Sequence, residues 1–305
     1  MARVLIIILI VFCTNTAGQG GIFDRSYPKT DFISTSQTRA PEVPKRLDFA
    51  GENVPLQNFD IRESLERELI VNVFWQSQTL MLIKLANRYF PVIEPILREQ
   101  NVPDDFKYLC VAESGLQHVV SPAKAAGFWQ IIPATGKELG LEINEEVDER
   151  YHIEISTLAA CAFLKKSYEL YGTWSMAAAA YNMGTTALTQ QVLVQKTSSY
   201  YNLRLNHETS RYVFRMLALK LILSHPEQYG FLVKKEELYQ PFRYKQVRVD
   251  TAITSLADFA VQHGTNYKML KLLNTWLREP FLTNKKRKTY YIKILEEGFR
   301  DNADK

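Results

Sequence analysis

Glu113 closes an apolar run made of Phe106, Tyr108, Leu109, Val111 and Ala112. A carboxyl group held against apolar walls finds its charged form disfavoured, so its pKa rises and it can carry a proton at neutral pH. That is what a general acid needs. Most glutamates at helix ends are solvated charges instead, and the local pattern alone does not separate the two readings. A short Ser/Pro/Ala/Gly loop follows, and a second apolar segment opens with Gly127-Phe128-Trp129-Gln130. Gln130 and, further on, Asn182 offer amide donors and acceptors suited to hydroxyl and N-acetyl groups.

The remaining chemical candidates are weaker. His118 is a lone histidine in a loop, read as exposed rather than as a base. Asp148-Glu149-Arg150, just ahead of a helix, reads as a capping and salt-bridging cluster and not as a second catalytic carboxylate. Ser114 and Ser121 can be explained as helix caps. Trp129 and Tyr181 can be explained as core aromatics. No His/Cys/Asp cluster has metal-ligand spacing and no Gly-rich phosphate loop appears, so the expectation is no metal and no cofactor.

The elements that must position these residues are helical. Ile61, Leu65, Leu69 and Val73 recur four apart, and Leu80 to Tyr89 continues in a second helix. Pro91 and Pro95 bracket the start of another stretch. A turn at residues 101–105 caps the helix leading to Glu113. Helices are expected over 133–140, 156–171, 175–181 and 209–224, with Pro226 and Gly230 closing the unit. After Gln240-Pro241 the pattern changes: strand-like alternation over 244–249, two short helices over 255–263 and 267–274, and a strand over 289–294.

Two later segments complete a recognisable set. Glu113-Ser114 and Gly127-Phe128-Trp129-Gln130 are followed by Ala179-Ala180-Tyr181-Asn182-Met183-Gly184 and by Glu208-Thr209-Ser210-Arg211-Tyr212-Val213. In this order the chain resembles the lysozyme-like lytic transglycosylases, most nearly the membrane-bound lytic transglycosylase D type, over roughly residues 59–229. The resemblance implies a mainly α, lysozyme-like domain with Glu113 as the catalytic acid. It also implies that Ser121, Gln130, Tyr181, Asn182 and Tyr212 meet substrate or orient the acid: Ser121 by a hydrogen bond near it, Tyr212 by holding its carboxyl. The βααβ tail resembles a LysM module, with Leu272-Leu273-Asn274 at its core. Val249-Asp250 replaces the usual Gly-Asp turn there, and residues 277–288 form a long, charged second loop. The expected layout is a signal peptide over 1–20, an extended lead-in over 21–58, the transglycosylase domain over 59–240 and a degenerate LysM-like domain over 241–305.

The resemblance further implies cleavage of the β-1,4 bond between N-acetylmuramic acid and N-acetylglucosamine, leaving 1,6-anhydromuramic acid ends. A lysozyme-type hydrolase on the same fold and a non-catalytic wall-binding protein are the alternatives. The expected partner is the peptidoglycan glycan strand; the expected state is a monomer that binds no nucleic acid, with contacts to wall-synthesis proteins left open.

Composition agrees with a globular chain: 46% hydrophobic, 23% charged, net charge +4. Arg3 precedes nine apolar residues from Val4 to Phe12, too few to span a bilayer, and a small polar stretch follows, as in a secretory signal. Phe12 is bulky for the position ahead of a lipid-modified Cys13, so a soluble exported protein of the periplasm or cell envelope is favoured over a lipid-anchored one. Cys110 and Cys161 sit in apolar helical runs and read as free core thiols rather than a disulfide.

Overall fold

The computed structural model describes residues 39–300, so the signal-peptide expectation, Cys13 and residues 21–38 of the expected lead-in lie outside the described residues. From Ala40 onward the chain forms one compact unit. The helices are α1 (Phe59–Phe74), α2 (Gln76–Glu99), α3 (Lys107–Ser114), α4 (Pro133–Glu138), α5 (Ile153–Tyr171), α6 (Trp174–Met183), α7 (Thr185–Gln195) and α8 (His207–Ser224). The α8 helix packs against α1, α3 and α6, and α5 packs against α2 and α6. Around α3, whose Leu109, Cys110 and Val111 are buried, these helices close one hydrophobic core. The mainly helical expectation holds.

Three local expectations need correction. Residues 39–58 are not a loose lead-in. A hairpin of β1 (Asp48–Phe49) and β2 (Glu52–Asn53) buries Phe49, and Val54 and Leu56 follow it into the core. Strands of two residues leave no periodic signal to read. The hairpin also has a task, because the Glu52 carboxylate accepts N–H groups of Trp174 and Ser175 and caps the N-terminus of α6. An acidic group there complements the helix dipole.

Pro91 and Pro95 do not start a new helix; α2 runs through both. An interior proline costs about 3 kcal/mol or more. Here Pro91 is exposed while Leu82, Ile83, Leu85, Ile93 and Leu97 bury the inner side, and that packing overrides the local preference. The turn at 101–105 does not cap α3 with a side chain. Asp104 instead pairs with Lys107, and Asp105 with Lys220 and the Ala50 N–H. The α7 helix was not anticipated.

The C-terminal module follows its sequence pattern closely: β3 (Tyr244–Val249), α9 (Leu256–Gln262), α10 (Tyr267–Leu273) and β4 (Tyr290–Leu295). The strands pair antiparallel with Val247 opposite Ile292. Asn274 is fully buried, donating to the Leu270 and Lys293 carbonyls and accepting the Lys293 N–H. This module does not keep its core to itself. Ala126, Val147 and Tyr151 of the helical part pack into the same cluster as Leu256, Leu277 and Ile292. Cys110 and Cys161 are free and buried. Among the described residues no single helix is long and apolar enough to cross a membrane; α1 and α2 would pass only as a pair bent by 89°.

Candidate active site

The α3 helix ends at Ser114 because Gly115 takes a left-handed conformation, φ 60°, and its N–H returns to the Val111 carbonyl at 2.8 Å. Glu113 therefore sits on the last turn of a buried helix. Its carboxyl looks into a cleft of about 390 Å³. The walls come from α3, the loop between α3 and α4, α5, and the end of α6. Glu113, Ser121, Gln130, Tyr181 and Asn182 all line it, with Ala125, Ile131, Ile132, Leu139, Phe163 and Met183 supplying apolar surface. Among these lining residues Glu113 is the sole carboxylate.

Tyr212 approaches from α8 and donates its phenolic hydrogen to Glu113 Oε1. Burial drives the Glu113 pKa up to about 7, against a smaller downward pull from the Tyr212 hydrogen bond and from the Arg215 charge. No cation pairs directly with Glu113 among the described residues; Arg215 spends its guanidinium on Glu208 at 3.0 Å. The group can hold or release a proton near neutrality, which a proton donor that must later act as acceptor requires.

The other expected residues are placed more unevenly. The Asn182 carbonyl oxygen accepts from Thr209 at 2.7 Å, which fixes the side chain and leaves its amide hydrogens for the cleft. Gln130 is spent differently. It takes a left-handed φ of 46°, and its amide donates to the Val119 and Gly127 carbonyls, so the side chain chiefly locks the loop and leaves its carbonyl oxygen for a ligand. Tyr181 donates to the Trp129 carbonyl at 2.7 Å and stands edge-on to Phe163. It offers the cleft a ring rather than a free hydroxyl. Ser121 lines the cleft, but its hydroxyl accepts the Ala125 N–H, and no hydrogen bond to Glu113 is formed among the described residues. Ser114 is no cap; it donates back to the Cys110 carbonyl.

Phe128 and Trp129 are core, with the Trp129 indole donating to Thr157 at 2.8 Å. Gly127 is obligatory: at φ 78° a Cβ would lie 1.9 Å from the Arg150 carbonyl oxygen. Reading His118 as exposed was wrong. It is half-buried, bonded through Nε2 to Thr275 at 3.1 Å, and burial and the Arg278 charge push its pKa down to about 4. Sequence reasoning missed Thr209, which stands inside the quoted Glu208–Tyr212 segment and could have been found there. It also missed Met183, which stands inside the quoted Ala179–Gly184 segment, and Phe163, for which no local signal exists.

Comparison with known proteins turns on this same stretch. Residues 90–203 match the family described as transglycosylase SLT domain. The chain carries a transglycosylase SLT domain. Glu113, Ser121, Gln130, Tyr181 and Asn182 fall inside the matched SLT segment, and Tyr212 lies beyond its end. Residues 245–298 match the soluble lytic transglycosylase C-terminal LysM-like domain. The chain is also homologous to the membrane-bound lytic murein transglycosylase D of Escherichia coli strain K12, with 28% identity over 239 residues covering 75% of this chain and 51% of the relative. The same protein of Escherichia coli O6:H1 strain CFT073 matches equally. The chain thus spans about half the length of the curated relatives it matches. Among solved structures, the 70 kDa soluble lytic transglycosylase of Escherichia coli aligns at 18% identity and a TM-score of 0.39, over 50% of this chain and 27% of that one.

Proposed function

We propose that this protein is a peptidoglycan lytic transglycosylase with Glu113 as its single catalytic acid and base. The observation that carries the reading is a cleft lined by one carboxylate, buried enough to be half-protonated near pH 7. Protonated Glu113 gives its hydrogen to the glycosidic oxygen between N-acetylmuramic acid and N-acetylglucosamine, and the leaving sugar departs as a neutral alcohol. The resulting carboxylate takes the proton from the C6 hydroxyl of the muramic acid, whose oxygen closes on C1. The product is a 1,6-anhydro ring; no water is consumed and Glu113 ends protonated again. Glycosidases that deliver water normally set a second carboxylate across the bond. A nucleophile tethered to the reacting sugar gains effective molarity and needs none.

Tyr212 holds the carboxyl in place through both steps. Asn182, fixed by Thr209, and the Gln130 carbonyl oxygen face the cleft as partners for N-acetyl and hydroxyl groups. The Tyr181 ring, with Phe163, Ile132 and Met183, offers sugar faces an apolar wall. The names of the homologues and the signal-like residues 1–20 support a place in the cell envelope.

The test is the chemistry of the cut end. Purified sacculi digested with the full chain are treated with borohydride, and the fragments are weighed by mass spectrometry. Anhydro ends resist reduction, and they are the expected product. Predominantly reducible muramic acid ends would make the protein a hydrolase while leaving Glu113 as the acid.

A further inference from the structure

The loop between α3 and α4 forms one wall of the cleft, yet it has little regular structure of its own. Its internal ties are a few turn and bridge bonds, such as Ala126 with Ile131. Tyr181 and Thr157 anchor its middle at buried Trp129, and one further side chain holds the two flanks of Gly127. Arg150 Nη1 donates to the Lys124 carbonyl at 2.7 Å and to the Ile131 carbonyl at 3.2 Å, on either side of Gly127. The rest of that guanidinium forks onto Asp148, Nε to Oδ1 at 2.9 Å and Nη2 to Oδ2 at 2.7 Å, with both residues buried. Planar bidentate geometry of this kind fixes direction as well as distance.

Asp148 is in turn held by the C-terminal module. Its N–H donates to the Trp276 carbonyl at 2.9 Å, Val147 bridges Leu277, and the Arg278 N–H donates to the Glu146 carbonyl at 2.8 Å. A second tie is Thr275, whose hydroxyl donates to the Tyr151 carbonyl at 2.9 Å and meets His118 of the loop itself. We propose that the C-terminal module is a brace for the cleft wall, and that Arg150 is the positioning residue that transmits it to the loop carrying Ser121 and Gln130. A LysM-like fold is thereby turned inward, onto the catalytic unit, in place of hanging from it as a free adhesion module. The proposal rests on the transglycosylase reading only for its effect on catalysis; the mechanical linkage stands without it.

The brace has a consequence at Glu113. Ala125 and Ile131 keep water from that side of the cleft, so a loosened loop hydrates the carboxyl and lowers its pKa. The groups that face Glu113 are Tyr212, Arg215 and Glu208 from α8, Tyr181 from α6 and Cys110 from its own helix. None of them changes in the test below.

The test uses the full chain with Arg150→Lys, which keeps the charge but has one nitrogen in place of the three that make the four bonds to Asp148, Lys124 and Ile131. Thr275→Val, which cuts the second tie, is the companion variant. Two readouts are taken: amide hydrogen exchange across residues 117–131, and the pH dependence of kcat/KM on sacculi. In Arg150→Lys the Ala126 and Ile131 amides should exchange about tenfold faster while α8 keeps its protection. The alkaline limb of kcat/KM should move down by about half a pH unit or more. Thr275→Val should shift both in the same direction by less. Unchanged exchange and an unmoved limb in a folded variant, even one of lowered melting temperature, would overturn the brace. Should Arg150→Lys fail to fold, Thr275→Val decides by the same two criteria. A parent chain that cleaves nothing would refute the proposed activity, and the exchange comparison would still decide the brace.

Discussion

Glu113 and Glu154 are glutamates of one helical domain, each largely withdrawn from water, and their environments push them in opposite directions. Burial raises both. Among the described residues a single neutral phenol offers Glu113 its only direct hydrogen bond, burial wins, and the pKa stands at about 7. At Glu154 burial is outweighed by His152 and by Lys293, which reaches across from the C-terminal module at 2.5 Å, and the pKa falls well below the ordinary carboxylate range. Burial by itself therefore does not make a proton carrier. Burial without a cation does, and the fold supplies cations where it needs joints and withholds them where it needs chemistry.

The sharpest way to break that comparison is to remove each carboxylate in turn. Glu113→Gln keeps shape and cannot donate the proton, so turnover on sacculi should fall by about 10² to 10⁴ while the far-UV spectrum and cooperative melting persist. A folded variant with near-normal lysis would remove Glu113 from the mechanism. Glu154→Gln should leave the chemistry intact and weaken the joint. It strands Lys293, which is 9% exposed in the pair, and the loss should be about 2–4 kcal/mol by denaturant titration at pH 7. The sign with pH is fixed. A carboxylate whose folded pKa is depressed stabilises above its unfolded value and loses that contribution as pH falls. The gap between parent and Glu154→Gln should narrow below about 4.5.

The opposite sign belongs to Glu113. Its folded pKa is raised, so ionising it costs stability as pH climbs from about 4.5 to about 7. Glu113→Gln should consequently be more stable than the parent by about 1–3 kcal/mol at pH 8, with the gain vanishing below pH 4. A gain that does not vary with pH would mean that the carboxyl is not desolvated. The smallest expected effect is that of Tyr212→Phe. Losing one hydrogen bond should reduce kcat about tenfold, or about 1.4 kcal/mol. It should also move the alkaline limb upward, because the phenol favours the charged form.

Helix periodicity and short motifs made most of the helical domain readable, including α6, α8 and the placement of Glu113 against apolar residues. The C-terminal βααβ pattern was equally plain, since alternation over six residues marks a strand wherever it occurs. What could not be read is what depends on distant partners. His118 bonds Thr275 across 157 positions, Glu52 caps a helix across 122, and Lys293 meets Glu154 across 139. No window of sequence contains such pairs. The same limit explains Tyr181, whose ring position was legible in its motif but whose hydroxyl is taken by Trp129. It also explains Arg150, which reads as local salt-bridging and turns out to hold the cleft loop as well.

The most direct measurement is a ¹³C NMR titration of the Glu113 side-chain carboxyl in the folded full chain, assigned by its disappearance in Glu113→Gln. A lone acid in a cation-free cleft should titrate near pH 7, with the Glu154 signal already ionised throughout that range. A Glu113 midpoint near 4.5 would contradict the account, because a carboxyl with that value is solvated and ionised when the reaction needs its proton.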